Sequence, residues 1–345
     1  MDTLLKKSIF RVLLLIMIII PLTGCASPSS AVSGGVDTLT GFSPEEITTL
    51  NSLEKVDDHP LYVMHYTGGY NQAAAAPPVG DTSYACSLFA ALGDKDNLRY
   101  GRNFDWSHSA ALILFTEPPD GYASVSMVNP DFAGIKNGKD LLQLTNAERE
   151  LLLDTPFVPT DGMNETGLTI AMAAVDGGKA DFLPSRETIG SLEIMREVLD
   201  HAATVDEAVK LFSSYNIDFT GGPPVHYLVA DANGSAALIE YVAGQMVVMP
   251  NENPWHLATN HFITTGVKDS GNSGWRYDTL RERLSAAGGI LTPKEAMTLL
   301  ADVAQADSTQ WSAVYNASAG SVDVAMGGGY DVVHSFQLDL GEKTK

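Results

Sequence analysis

From position 86 onward the chain is written in short apolar runs, each closed by residues that turn the backbone. Residues 86–91, 98–103 and 111–116 are separated by Gly93-Asp94 and by the stretch 105–109. Apolar runs this short, punctuated this way, are strands; a helix needs a longer periodic segment. Residues 225–230 and 236–242 bracket Asn233-Gly234, a strong hairpin signal. The run 167–175 has strand length and buried character, 61–66 reads as a strand stopped by Gly68-Gly69, and 311–315 and 335–340 close the chain as strands. Capping boxes interrupt this pattern. Ser43-Pro44-Glu45-Glu46 predicts a helix to about Lys55, Thr204 with Glu207 one to about Phe212, and Thr292 with Glu295 one to about Val303. Between them, 191–202 puts Leu192, Met195, Val198 and Leu199 on one helical face. Antiparallel hairpins mixed with capped helices give an α+β fold of layered sheets and helices.

Such a fold must be held by its apolar core, because the only cysteines among 345 residues are Cys25 and Cys86. Neither a disulfide framework nor a cysteine-based zinc site can be built from two. Apolar residues at 45% supply ample core, and 21 basic against 42 acidic residues leave a formal net charge of −21. That charge is repelled by phosphate backbones, which argues against a nucleic-acid partner.

Cys25 has a role of its own. Lys6, Lys7 and Arg11 precede the apolar run 12–20, and Leu22-Thr23-Gly24-Cys25 follows. This is the pattern of a bacterial-type lipoprotein signal peptide over residues 1–24, with Cys25 lipidated. An ordinary signal peptide cut elsewhere is the plainer alternative. Either way the chain is expected to be exported, and with lipid on Cys25 it is anchored on the extracytoplasmic face of a membrane. Residues 26–35, rich in Ser, Ala, Pro and Gly, read as a tether. Residues 71–82, with four consecutive alanines and Pro77-Pro78, read as an exposed loop. Cys86 is then left without a partner, and a lone thiol in an oxidising compartment is either buried or used.

Familiar cofactor and hydrolase signatures are missing. The chain has no Gly-x-Ser-x-Gly elbow, P-loop, dinucleotide glycine fingerprint or His-Glu-x-x-His. Residues 93–97 resemble the start of a calcium loop, but Leu98 and Arg99 stand where a ligand and a glycine belong, so this is a turn. His256 and His261 do not share a helical face and read as structural. No cofactor and no metal are expected.

The stretch that carries chemistry is Tyr84-Ala85-Cys86-Ser87-Leu88-Phe89 with Tyr100-Gly101-Arg102-Asn103-Phe104-Asp105-Trp106. A hairpin there brings the second segment beside the first, so that a guanidinium and a carboxylate can neighbour the thiol. Arginine stabilises thiolate, the nucleophilic form. Taken by spacing alone, the plainer reading is favoured: an Arg–Asp surface pair on a hairpin with a buried small cysteine.

Cys-Ser-x-Phe followed by Gly-Arg-Asn-Phe-Asp-Trp resembles the choloylglycine hydrolase group of N-terminal nucleophile (Ntn) hydrolases. That group contains bile salt hydrolases and penicillin V acylases. Acid ceramidase-like amidases and acyl-CoA:6-aminopenicillanic acid acyltransferases are its relatives. Further landmarks follow in family order: Asn164-Glu165-Thr166-Gly167-Leu168 after Asp161, then His226 to Asp231, Thr259-Asn260-His261, and Ser273-Gly274-Trp275-Arg276. The resemblance implies a four-layer αββα Ntn-hydrolase sandwich over residues 86–345. It further implies that residues 25–85 are tether and propeptide, severed from the rest by autocatalytic cleavage at Ala85–Cys86. Cys86 would then be the nucleophile and its freed α-amino group the base. Arg102 would stabilise the thiolate, Asp105 hold the α-amino group, and Asn260 donate to the oxyanion with the backbone N–H of Ala174. Arg276 would complete the charge network with Asp105 and the nucleophile. Ala174 departs from the pattern, because bile salt hydrolases have Asn there and penicillin V acylases Tyr, so neither substrate is carried over.

The leading expectation is therefore an exported amidase that cleaves linear N-acyl amides through a thioester. Its partners would be a small-molecule N-acyl amide, a membrane reached through lipid, and its own propeptide as a non-covalent small subunit; the oligomeric state stays open, a homo-oligomer included. Two alternatives remain: acyl transfer through the same thioester, and an inactive lipid-anchored binding protein on this scaffold.

Overall fold

The computed structural model describes residues 39–70, 85–136, 138–264 and 272–340. The signal peptide, Cys25, the tether and the loop 71–82 lie outside the described residues. The described part begins with α1 (Pro44–Asn51), β1 (Glu54–Asp57) and β2 (Leu61–Tyr66). After it come β3 (Ser87–Ala91), β4 (Arg99–Asp105), β5 (Ala111–Thr116) and β6 (Ser124–Val128). The short α2 (Asn146–Glu150) precedes β7 (Pro159–Asn164), β8 (Thr169–Ala174) and β9 (Thr188–Gly190). Then follow α3 (Glu193–His201), α4 (Val205–Ser214), β10 (Asn216–Asp218), β11 (Val225–Ala230) and β12 (Ala236–Val242). The chain goes on through β13 (Gln245–Pro250), β14 (Trp255–Ala258), α5 (Asn272–Ala286) and α6 (Pro293–Asp302). It ends with β15 (Thr309–Asn316), β16 (Ser321–Met326) and β17 (His334–Gln337).

Two large sheets result. One has the order β1-β2-β5-β6-β7-β8-β11-β12-β13, the other β14-β3-β4-β15-β16-β17. Helices α3 and α4 pack on the first sheet and α5 and α6 on the second, while β3 meets β8 and β11 across the middle. This is the four-layer αββα architecture of the Ntn-hydrolase sandwich. Tyr100, Phe104, Trp311 and Leu228 belong to the core between the sheets, and Phe89, Leu257, Leu280, Leu284 and Leu300 to the core under α5 and α6. Gly101 pairs with Phe89 in the β3–β4 ladder, and a β-carbon at 101 would lie 2.3 Å from the Phe89 ring. Only glycine leaves that ring its place.

The segment before Cys86 is built into the first sheet. Strand β2 runs parallel to β5, from Leu61 opposite Ala111 to Tyr66 opposite Thr116, and Leu61, Tyr62 and Met64 are buried. The helix expected to reach Lys55 stops at Asn51. Ser52 closes it by donating its N–H to the carbonyls of Thr48 and Thr49, and Glu54 and Lys55 pair with β2 instead. Tertiary strand pairing overrides the local helical signal there. The last strand is shorter than 335–340, covering His334–Gln337. Strands β6, β7, β13, β14 and β16 and helix α5 had no distinct periodic signal; α5 buries only part of one face around Leu280 and Leu284 and is otherwise rich in charge.

Candidate active site

Strand alternation and register assemble the site. Leu88 lies opposite Arg102 and Ser87 opposite Asn103, so Cys86, just before β3, sits across from Phe104 and shares the inter-sheet face with Arg102. The carbonyl of Asp105 accepts the N–H of Ala85 at 3.3 Å, which extends the pairing to the residue before the cysteine.

Every polar group of Cys86 is held by a different side chain. Its thiol accepts from Arg102 Nη2 at 3.6 Å. Its backbone N–H donates to Asn260 Oδ1 at 2.6 Å, and its carbonyl accepts from Arg276 Nη1. Arg276 also donates from Nη1 to Ser87 Oγ at 2.9 Å and from Nη2 to Asn260 Oδ1 at 2.9 Å. Because the peptide N–H and the guanidinium can only donate, the Asn260 amide must present its oxygen to them. Its Nδ2 then donates to the Ala174 carbonyl at 2.9 Å.

Arg102 is fully buried over the Phe104 ring, 4.5 Å from its centroid. It donates from Nη1 to the Thr160 carbonyl at 3.1 Å and forms an ion pair with Asp161 Oδ2. Burial pulls the guanidinium's pKa down, but the neighbouring Asp161 carboxylate and Cys86 sulfur more than offset that, so it is raised. Asp161 further accepts from Tyr315 Oη at 2.5 Å and Thr160 Oγ1 at 3.0 Å. The sequence offered Asp161 only as the head of a motif; its role as counter-ion needs β7 next to β4 across the sandwich, a long-range fact with no local signal.

Asp105 stands apart from this network. It lies three residues beyond Arg102 on the same strand, so alternation turns it to the other face. Oδ1 accepts from Thr309 Oγ1 at 2.5 Å, and the buried Oδ2 has no hydrogen-bond partner among the described residues. Burial pushes its pKa up from 3.8 to about 7, against the lowering effects of Thr309, Arg276 and Arg102. The structure thus gathers Cys86, Arg102, Asn260 and Arg276 directly, with Asp105 reaching the arginines only through space.

Ala174 ends β8 beside the cysteine. Val175 N–H donates to the Pro224 carbonyl, so in the antiparallel pair with β11 the backbone of Ala174 points the other way, toward Asn260. An apolar pocket opens on Cys86, walled by Phe104, Trp106, Phe132, Met172, Leu192 and Val225. His256 bonds the Met249 carbonyl and His261 bonds Thr259 and Ser273. Among the described residues no group of three or more His, Cys, Asp and Glu side chains could hold a metal ion, and no helix is long and apolar enough to cross a membrane.

The sequence model of a family described as linear amide C-N hydrolases, choloylglycine hydrolase family, matches residues 86–261. A mutant of the conjugated bile acid hydrolase from Clostridium perfringens is similar in structure, with TM-score 0.54 and 14% identity over 74% of this chain and 92% of that one. Penicillin V acylase from Agrobacterium tumefaciens is similar at TM-score 0.51 and 18% identity, covering 75% of this chain and 89% of that one. At these identities the likeness is one of fold. No curated protein matches the sequence.

Proposed function

The chain belongs to the choloylglycine hydrolase family of linear amide C-N hydrolases, and from that membership we propose that Cys86, once freed at its amino group, hydrolyses N-acyl amides through a thioester. The observation that carries this reading is the threefold grip on Cys86: thiol on Arg102, N–H on Asn260, carbonyl on Arg276. A merely buried cysteine needs none of these.

The first reaction is on the chain itself. Cys86 Sγ attacks the Ala85 carbonyl, the Ala85–Cys86 C–N bond breaks, and the acyl group moves to sulfur as the nitrogen takes up a proton. Water then hydrolyses this ester, leaving Ala85 with a carboxylate and Cys86 with a free α-amine. In the second reaction that amine, of reference pKa about 8, takes the thiol proton. Thiolate, favoured by Arg102, adds to the substrate carbonyl. The oxyanion faces the Ala174 N–H and Asn260 Nδ2, which gives up its bond to the Ala174 carbonyl; one such donor is worth roughly 10²–10³ in rate. Collapse expels the amine, which leaves with a proton, and water releases the acid. The unpartnered Asp105 Oδ2 suits the new ammonium group. The apolar pocket at Cys86 suits the acyl chain.

The burial of β2 supports a propeptide that stays docked after the cut. Tyr70 adds to this: it donates to Asp200 Oδ2 at 2.5 Å on α3. The Leu22–Cys25 ending supports export and lipid anchoring.

Intact mass and N-terminal sequencing test the scheme, on wild type expressed from residue 26 and on Cys86→Ala. The expected result is two co-eluting wild-type fragments, the larger beginning at Cys86, and an uncut variant. Wild type that stays whole when folded would leave the base unformed and favour the binding-protein reading.

A further inference from the structure

Asn260 sits in an arc, residues 259–264, that leaves the second sheet after β14 and belongs to no helix or strand. What holds this arc comes from the other sheet. His226 on β11 and Glu240 on β12 lie directly opposite one another, since Tyr227 pairs with Ile239 in the antiparallel register. Both are fully buried, and His226 Nδ1 lies 3.2 Å from Glu240 Oε1. His226 Nε2 meets the Thr259 carbonyl at 2.7 Å, where it must donate because a carbonyl only accepts. Glu240 Oε1 accepts the Ile263 N–H at 2.8 Å, and Oε2 accepts the Thr264 N–H at 3.0 Å and the Thr264 hydroxyl. The arc is therefore gripped at both ends by one buried pair, with Asn260 between the grips.

From the other side, Ser273 at the start of α5 accepts the Asn260 N–H at 2.8 Å and meets Thr259 Oγ1 at 2.7 Å. The Asn260 side chain is left to face the cysteine and Ala174. A buried polar pair is a poor device for holding a sheet together, because apolar residues of the same size serve as well or better. Here the pair spends its bonding capacity on the backbone of the arc, not on its own strands.

We infer that His226 and Glu240 are positioning residues for amide hydrolysis, fixing the arc so that Asn260 Nδ2 is aimed at the oxyanion. This rests on the role proposed above for Asn260. Neither residue touches substrate, so each acts through the arc. A positioning residue of this kind leaves substrate affinity alone and lowers the chemical step.

A double-mutant cycle tests it, using His226→Asn, Glu240→Gln, Asn260→Ala and the two doubles with Asn260→Ala. Turnover is read on the N-acyl-7-amino-4-methylcoumarin amide that the wild type cleaves fastest, with thermal unfolding of each variant. The expected outcome is a loss in kcat of roughly 10- to 100-fold for each single His226 or Glu240 variant, with KM within about twofold. In the Asn260→Ala background the same changes should cost less than about twofold more. Losses that multiply in the double variants overturn the inference while leaving Asn260 its role, and so does unchanged kcat in the His226 and Glu240 singles. Wild-type kcat in Asn260→Ala alone overturns the oxyanion reading itself, and the inference with it. Failure of both His226→Asn and Glu240→Gln to fold also overturns it, because the pair would then hold the sheet rather than the arc.

Discussion

Two buried carboxylates belong to the neighbourhood of the site, Asp161 through its ion pair with Arg102 and Asp105 at the end of β4, and their surroundings are opposite. Asp161, on the inter-sheet face, is saturated: Arg102, Tyr315 and Thr160 all donate to it. Asp105, on the other face of β4, holds one hydroxyl and buries a second oxygen with no partner among the described residues. A saturated carboxylate inside a protein is part of the frame; a buried one that lacks a partner is a cost that some later event can remove. On the proposed mechanism that event is peptide cleavage, which creates the α-ammonium group that Asp105 is proposed to hold and does nothing for Asp161. The frame exists before processing and the catalytic charge arrangement after it.

The largest effect should come from breaking the saturated side. Asp161→Asn leaves Arg102 charged and buried with only a neutral amide oxygen where it had a carboxylate, and turns the amide nitrogen toward the Tyr315 hydroxyl. Loss of one partner of a buried pair costs about 3–5 kcal/mol. Denaturant unfolding of the uncleavable Cys86→Ala protein should show a loss of that size. A change under about 1 kcal/mol would mean that Arg102 does not depend on Asp161.

The unsaturated side should respond to pH. Asp105 has a folded pKa of about 7 against an ordinary 3.8, so between those values the folded state binds the extra proton. Stability contributed by this group is present at the acidic end of the window and lost as pH rises from 3.8 to 7. The full span corresponds to up to about 4 kcal/mol, as an order of magnitude. Cys86→Ala should therefore weaken over that range, and adding Asp105→Asn should flatten the profile. Equal pH slopes with and without Asp105→Asn would remove the idea that the unprocessed chain stores this cost. In processed wild type the α-ammonium group should itself reduce the slope.

This asymmetry was half visible in the sequence. Cys86, Arg102 and Asp105 fall in two adjacent strands, so their proximity followed from a hairpin, and Asn260 and Arg276 from family landmarks. The layered α+β fold was legible for the same local reason, since the capping boxes at Ser43, Thr204 and Thr292 and the Asn233-Gly234 turn are short-range chemistry. What could not be read were partners supplied by register between distant strands. Asp161 reaches Arg102 only because β7 and β4 face one another across two sheets, and Thr309 reaches Asp105 only because β15 pairs with β4. His226 and Glu240 look like ordinary alternation in a hairpin until the arc at 259–264 is seen lying over them. Alternation itself held the remaining clue: Arg102 and Asp105 are an odd number of residues apart on one strand, and so cannot share a face.

The smallest effect is the sharpest test of the contrast. Thr309→Val keeps the shape of the side chain and removes the one hydroxyl that donates to Asp105. In the unprocessed Cys86→Ala protein this leaves both Asp105 oxygens without a donor among the described residues whenever the group is ionised. The cost, about 1–3 kcal/mol for a lost bond to a charged buried group, falls on the charged form alone. It should therefore be seen above pH 7 and fade toward pH 4, where the carboxyl is protonated, and the fall in stability, which starts near the ordinary carboxyl pKa of 3.8 in both proteins, should continue to a higher pH than in the Thr309 protein. The same substitution in processed enzyme should matter less, because the α-ammonium of Cys86 would then supply a donor. A pH-independent loss from Thr309→Val would instead assign the hydroxyl to packing, and Asp105 would stand as a carboxyl that stays neutral throughout.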